Sequence, residues 1–165
     1  MPTSFYRRNL PHLQRDGKPH FLTFCTYRRW LLPDWARSIV HDTCSRAHGW
    51  TIDLRAAVVM PDHVHLIFIP EIDMERGEVY SLARVTKAIK GTSSHLINRR
   101  LGKGGRIWQE ESFDRVLRIS EKLDEKIEYV LNNPVRKGLV PFAREYPWLL
   151  IPQPLPMPSL ARPGR

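Results

Sequence analysis

The run from Thr51 to Pro70, TIDLRAAVVMPDHVHLIFIP, constrains the fold more than any other stretch. Ile52, Leu54, Ala56, Val58 and Met60 alternate with their neighbours, which predicts a strand with those five residues on one side. Pro61-Asp62 breaks the run. Proline pre-sets φ for the first central turn position, and aspartate suits the second. A second apolar strand follows at once, so the two should be antiparallel neighbours, ended by Pro70.

The second strand carries His63 and His65. Side chains at i and i+2 of a strand share a face, so the two imidazoles stand side by side. That arrangement suits two-point coordination of a divalent ion. Histidines in a strand are also ordinary core or edge residues. The pair gains a function only if a nucleophile stands near it.

The rest of the chain alternates between strand-like and helix-like stretches. His20 to Tyr27, HFLTFCTY, is rich in aromatic and β-branched residues and predicts a strand. Pro33-Asp34 predicts a helix start with Asp34 as N-cap. Trp35, Ile39, Val40 and Ala47 give this helix a stripe, and Gly49 suits the position past its end. Val79 to Leu101 is a second helical region, with Leu82, Val85, Ile89 and Leu96 at helical spacing and Gly91 as a possible bend. Ile107 to Ile119 begins irregularly and ends as a strand with Phe113, Val116 and Leu117 as apolar content. Ser120 is the N-cap candidate of a third helix. The order matches the ferredoxin-like βαββαβ pattern: an α/β (α+β) fold with an antiparallel sheet and an additional C-terminal helix. Residues 1–19 read as a basic arm and 20–140 as the folded domain. Residues 141–165 read as a tail that holds seven of the fourteen prolines, with Trp148, Leu149, Leu150 and Ile151 placed to dock on the body.

Charge narrows the partner. Lys plus Arg is 26 against 17 Asp plus Glu, a formal net charge of +9. Such an excess favours a polyanion, nucleic acid before an anionic membrane. Arg7 and Arg8 sit in the N-terminal arm beside Tyr6. No acidic residue occurs from Val79 to Gln109, and Arg84, Lys87 and Lys90 step by three along the second helix. That pattern suits phosphate contacts better than ion pairs within the helix. Arg115 is a further candidate contact. No apolar run reaches membrane-spanning length, and the N-terminus lacks a signal core. Cys25 and Cys44 have no metal-type spacing, so reduced thiols in a cytoplasmic, nucleoid-associated protein are expected.

The third helix, Glu121 to Asn133, supplies a candidate nucleophile. At 100° per residue, Leu123, Ile127, Val130 and Leu131 lie within about 40 to 60° of one another, a core stripe. Tyr129 lies roughly 160° from Ile127, on the polar side. Asn133 is one turn later and precedes Pro134, which discourages the helix from continuing. An exposed tyrosine and a helix-ending asparagine carry no function by themselves. With the histidines they acquire one: His63, His65 and the Asn133 amide oxygen are expected to be able to hold one cation close to the Tyr129 hydroxyl.

VVMPDHVHLIF resembles the HUH motif, two histidines around a bulky residue. KIEYVLNNPVRKGLV resembles the tyrosine-helix signature of the single-tyrosine HUH transposases. YRR near the start, HFLTFCTYRR, AIKGTSSHLINRR and WQEESFDRVLR agree with this. The resemblance is strongest to REP-associated tyrosine transposases, within the IS200-like transposases. It implies a metal-dependent endonuclease and strand transferase acting on single-stranded DNA at palindromic hairpins. It also implies Tyr129 as nucleophile, a 5′-phosphotyrosine intermediate, and Mg²⁺ or Mn²⁺ held by His63, His65 and a polar residue one turn after the tyrosine. The insertion-sequence branch has glutamine at that last position, and Asn133 stands there here with a shorter reach. Either a monomer or a homodimer is compatible with the family. A histidine-triad hydrolase would continue the alternating histidines, but Ile67 occupies the next position. Relaxases share the chemistry and carry further domains. A domesticated, non-cleaving DNA- or RNA-binding regulator would carry the same signature.

Overall fold

The computed structural model describes residues 17–118 and 123–153. Arg7, Arg8 and the expected cap Ser120 lie outside them. The elements are β1 (His20–Thr26), α1 (Asp34–Ala47), β2 (Ile52–Val59), β3 (His63–Pro70), β4 (Ile72–Asp73), β5 (Glu78–Val79), α2 (Leu82–Leu101), β6 (Trp108–Val116), α3 (Leu123–Leu131), α4 (Asn133–Arg136) and β7 (Leu149–Leu150). The main sheet runs β6-β1-β3-β2-β7, with every neighbouring pair antiparallel. Without β7 this is the expected ferredoxin-like order, in which the first and third strands are central. β2 and β3 form the expected hairpin, and the Met60 N–H donates to the His63 carbonyl across the Pro61-Asp62 turn at 2.8 Å.

Helices cover both faces of the sheet. On one face, Leu22, Phe24, Leu66 and Phe68 pack with Val40 of α1 and with Ile89 and Ile97 of α2. On the other, Phe21, Val58 and Ile67 pack with Val130 of α3, and Leu123, Ile127 and Leu131 are partly buried against them. The stripe expected on the third helix therefore points into the core.

Ile52, Leu54, Ala56, Val58 and Met60 do not share one face. Pairing shifts between Leu54 and Ala56, so Arg55 is an extra residue in β2. A bulge of this kind reverses the alternation. Ile52 and Leu54 pack with Ala57 and Val59 beneath α1 and α2, while Ala56, Val58 and Met60 turn to the α3 side. Both faces being covered, both sets of side chains are buried.

Three other expectations shift. Asp34 is the first helical residue and not the cap. Pro33, with ψ 163°, is the flanking residue, and the Asp34 carboxylate pairs with Arg37. Proline cannot donate, and an acid favours the positive end of a helix, so both residues suit these places. α2 passes unbroken through Gly91. Its start is capped by Ser81, whose hydroxyl accepts from the Arg84 N–H at 3.2 Å, and Gly102 ends it at φ 64°. β6 is a strand from Trp108 onward. The Trp108 ring meets Phe24 edge-on at 4.8 Å, and its N–H donates to Ser93 Oγ at 3.0 Å, which anchors the strand start.

Trp148, Leu149 and Leu150 dock on the body as expected, while Ile151 is exposed. β7 pairs with β2 at Ala57 and Val58, and the Tyr146 hydroxyl donates to the Val59 carbonyl at 2.7 Å. β7 thus covers part of an edge that β2 would otherwise leave open.

Candidate active site

His63 and His65 open β3, at the end of the sheet where the Pro61-Asp62 turn meets the tight turn Tyr27–Arg29. The Thr26 N–H and hydroxyl both donate to the Asp62 carbonyl, at 2.9 and 3.2 Å. The imidazole centroids are 4.8 Å apart. Each Nδ1 has a partner: Asp62 Oδ1 lies 2.7 Å from His63, and Thr23 Oγ1 lies 2.7 Å from His65. An ionised carboxylate only accepts, so in the neutral form of His63 the proton sits on Nδ1 and the lone pair on Nε2. The Thr23 hydroxyl also accepts, which opens the same tautomer to His65. Asp62 is gripped in turn by Arg29, whose Nη1 is 3.3 Å from Oδ2.

The Phe21 ring stacks on His65 at 5.4 Å. Burial pushes the His65 pKa down to about 3, with smaller contributions from His63, Arg136, Lys126 and Lys137. The ring is therefore neutral through the physiological range, as metal ligation requires.

α3 packs against β2 and β3 on the histidine face. Tyr129 is 49% exposed, as the helix arithmetic expects. The Lys126 ammonium lies 5.0 Å from the Tyr129 ring and 5.0 Å from the Phe21 ring, linking the tyrosine to the ring that stacks on His65. The Arg136 guanidinium lies 3.9 Å over the Tyr129 ring and donates to the Tyr129 carbonyl at 2.9 Å. Asn133 does not extend α3. Asn132 interrupts the helix with φ −86° and ψ 0°, and Asn133 opens α4 with Pro134 in its first turn. Proline, which has no N–H, suits a restart of this kind. Asn133 is 4% exposed, so it turns inward while Tyr129 faces outward.

These donors fit a divalent cation. Two imidazoles side by side leave positions for phosphate oxygens and water, and imidazole suits Mn²⁺ better than Mg²⁺. Among the described residues no group of three or more His, Cys, Asp and Glu is placed to hold a metal. A third protein donor beside the histidine pair would therefore have to be of another residue type, and Asn133 is the one the sequence puts forward.

The basic candidates divide between the two layers. Arg115 pairs across from Phe21 and so lies on the histidine face, as does the exposed Phe113 across from Thr23. Arg84, Lys87 and Lys90 belong to α2, in the opposite layer. α2 itself has no acid, but β4 supplies one. Arg84 donates to the buried Asp73 carboxylate at 2.9 Å, and that bond holds the Asp73 carboxyl below its usual range. Lys90 donates to the Gln109 and Glu110 carbonyls at 2.6 and 3.1 Å and to Ser112 Oγ at 3.1 Å. Lys87 is exposed. The sequence reading missed Thr23, Asp62, Lys126 and Arg136. Lys126 was within reach of it, being one turn before Tyr129.

The model of the IS200-like transposases matches residues 14–132. The chain belongs to this family. In this IS200-like transposase the match takes in His63, His65 and Tyr129, and Asn133 lies one residue beyond it. A Haemophilus influenzae protein provisionally named a REP-associated tyrosine transposase is 27% identical over 116 residues, 68% of this chain and 64% of that protein. The chain thus spans less than two thirds of that relative's length. The solved structure of a REP-associated tyrosine transposase bound to a REP hairpin has the same fold. Its TM-score is 0.61 at 24% identity, over 81% of this chain and 76% of that one.

Proposed function

We propose that the protein is a metal-dependent single-stranded DNA endonuclease and strand transferase that works at palindromic hairpins through Tyr129. One observation carries this reading: the His63–His65 pair, its Nδ1 atoms engaged by Asp62 and Thr23, lies on the sheet face that α3, the helix bearing Tyr129, covers. Family membership supports a DNA-processing role. Likeness to a hairpin-bound protein makes a hairpin the first substrate to try.

His63, His65 and Asn133 would hold the cation, Mg²⁺ or Mn²⁺, which supplies charge neutralisation at the scissile phosphate. Lys126 and Arg136 flank the Tyr129 ring and place positive charge where a phosphate must approach. The Tyr129 oxygen attacks phosphorus, and the bond from phosphorus to the 3′ oxygen breaks. The phenol loses its proton and the departing 3′ oxygen gains one. The DNA stays on Tyr129 through its 5′ phosphate. A 3′-hydroxyl reverses the step and joins a strand without ATP, because the phosphoester is retained. Arg115 is the proposed backbone contact on this face, with Arg7, Arg8, Arg84, Lys87 and Lys90 as contacts for the stem.

The test is covalent capture. With a labelled hairpin from the DNA flanking its own gene and Mn²⁺, the protein should form an adduct that survives SDS and is removed by protease. Tyr129→Phe should bind the same hairpin and form none. An adduct mapped to another tyrosine would refute the role of Tyr129. Binding without any adduct would leave a non-cleaving hairpin-binding protein.

A further inference from the structure

We propose that the cleft between the Tyr27–Arg29 turn and the loop after α2 is a site for an unpaired nucleotide. The cleft has a volume of about 430 Å³, and its lining includes Tyr27, Arg28, Trp30, Asn98, Lys103 and Arg106. Among the described residues three cations and two aromatic rings line it, and no carboxylate does. Cations that hold a phosphate and flat groups that stack on a base are what a sequence-tolerant single-strand site requires. Small-ligand sites run from about 300 to 1,000 Å³, so this one has room for roughly one nucleotide.

The cations are held in place. The Arg28 and Arg106 guanidiniums lie 5.2 and 5.3 Å from the Tyr27 ring centroid. Guanidinium planes fixed in this way also offer stacking surfaces to a base. Arg28 and Arg29 have φ of 53° and 55°, the left-handed region that residues with a Cβ avoid. Strain of this kind is retained where the surroundings enforce it, often beside a site. Asn98 donates through Nδ2 to the Gly105 carbonyl at 2.8 Å, and its Oδ1 is buried without a hydrogen-bond partner among the described residues.

The cleft also adjoins the candidate active site. Arg29, next to Arg28, pairs with Asp62, which holds His63. The turn that walls the cleft is thus tied to His63 through one ion pair and one hydrogen bond. An acidic peptide would meet the same cations but would leave the stacking surfaces unused. The inference rests on the DNA reading above and extends it by giving the unpaired strand a place.

The test is anisotropy of fluorescein-labelled dT12 with the full chain in EDTA, beside a blunt hairpin without an unpaired tail. The variant is Arg28→Gly with Arg106→Gln. It should weaken dT12 binding about tenfold and lower the log–log salt slope by about 1.4, two contacts at about 0.7 each. Blunt-hairpin affinity should stay within about twofold, since stem phosphates are gripped elsewhere. Glycine adopts φ 53° freely, which keeps the backbone of the turn. If the double variant does not fold, Arg106→Gln alone is read, with half the slope change. Unchanged dT12 affinity and slope would overturn the proposal. So would an equal loss of blunt-hairpin binding, displacement of dT12 by polyglutamate as effectively as by dT12, or no binding of dT12 to the wild type. Binding in EDTA needs no chemistry. A missing Tyr129 adduct therefore counts against the endonuclease and not against the cleft.

Discussion

His63 can serve a cation only through the nitrogen that Asp62 leaves to it. The carboxylate 2.7 Å away engages Nδ1 and fixes the orientation of the ring. Asp62→Asn retains an oxygen for that N–H but loses the charge. The expected outcome is a loss of Mn²⁺ affinity of about tenfold or more by calorimetry, with folding intact. Unchanged affinity would reduce Asp62 to a turn residue. The sequence showed the turn role alone, because nothing in Pro61-Asp62 says which way the carboxylate faces. The cysteines give a second prediction at this scale. Cys44 is fully buried, and burial pushes its thiol up to about 12. Cys25 is partly exposed. At pH 8 one thiol should react with Ellman's reagent in the native protein and the second only after denaturation, since the thiolate is the reactive form. Two equally fast thiols would contradict the packing of α1.

Among the elements, α2 shows how helical spacing is read well and charge pairing poorly. Val85 and Ile89 lie in the buried stripe as the spacing expects, with Leu82 partly buried, but the stripe continues through Ser93 and Ile97 and not Leu96. The phosphate argument for Arg84, Lys87 and Lys90 depended on the absence of acids nearby in sequence. Asp73 and the β6 backbone engage two of the three from outside the helix. The same helix holds two glycines with opposite demands. Gly91 is helical, and a Cβ there would meet nothing within 4 Å. Gly91→Ala should stabilise the protein by about 0.5 to 1 kcal/mol. Gly102 has φ 64°, so Gly102→Ala should destabilise it by about 1 kcal/mol despite equally open space. Urea midpoints at constant slope decide this, and equal signs would show that backbone conformation is not the cause.

The whole molecule divides its work between the two faces of one sheet. α1 and α2 bury one face over a largely apolar core. The other carries a smaller cluster under α3, and the polar site sits at its edge. A ligand on this native arrangement must stabilise it by mass action. Mn²⁺ at a hundred times its Kd should add about 2.7 kcal/mol. For a domain of this size that is a rise in Tm of roughly 5 to 10 °C. His63→Ala with His65→Ala should remove the rise without preventing folding. A rise that persists in the double variant would place the cation elsewhere.

The order of the four main strands and three long helices, the hairpin, the shared face of His63 and His65, and the outward position of Tyr129 were determined by the sequence, whereas the β4–β5 pair and the restart at α4 were not. Each of the former depends on periodicity among residues close along the chain. Tertiary structure alone decided the rest. The Arg55 bulge reversed the face of half of β2, and the Asn132 turn set Asn133 inward and apart from the Tyr129 face. Thr23 reached His65 across 42 residues of chain. Such pairings arise when the sheet closes and brings distant segments to within hydrogen-bond range, and a periodic count along the chain carries no term for that closure.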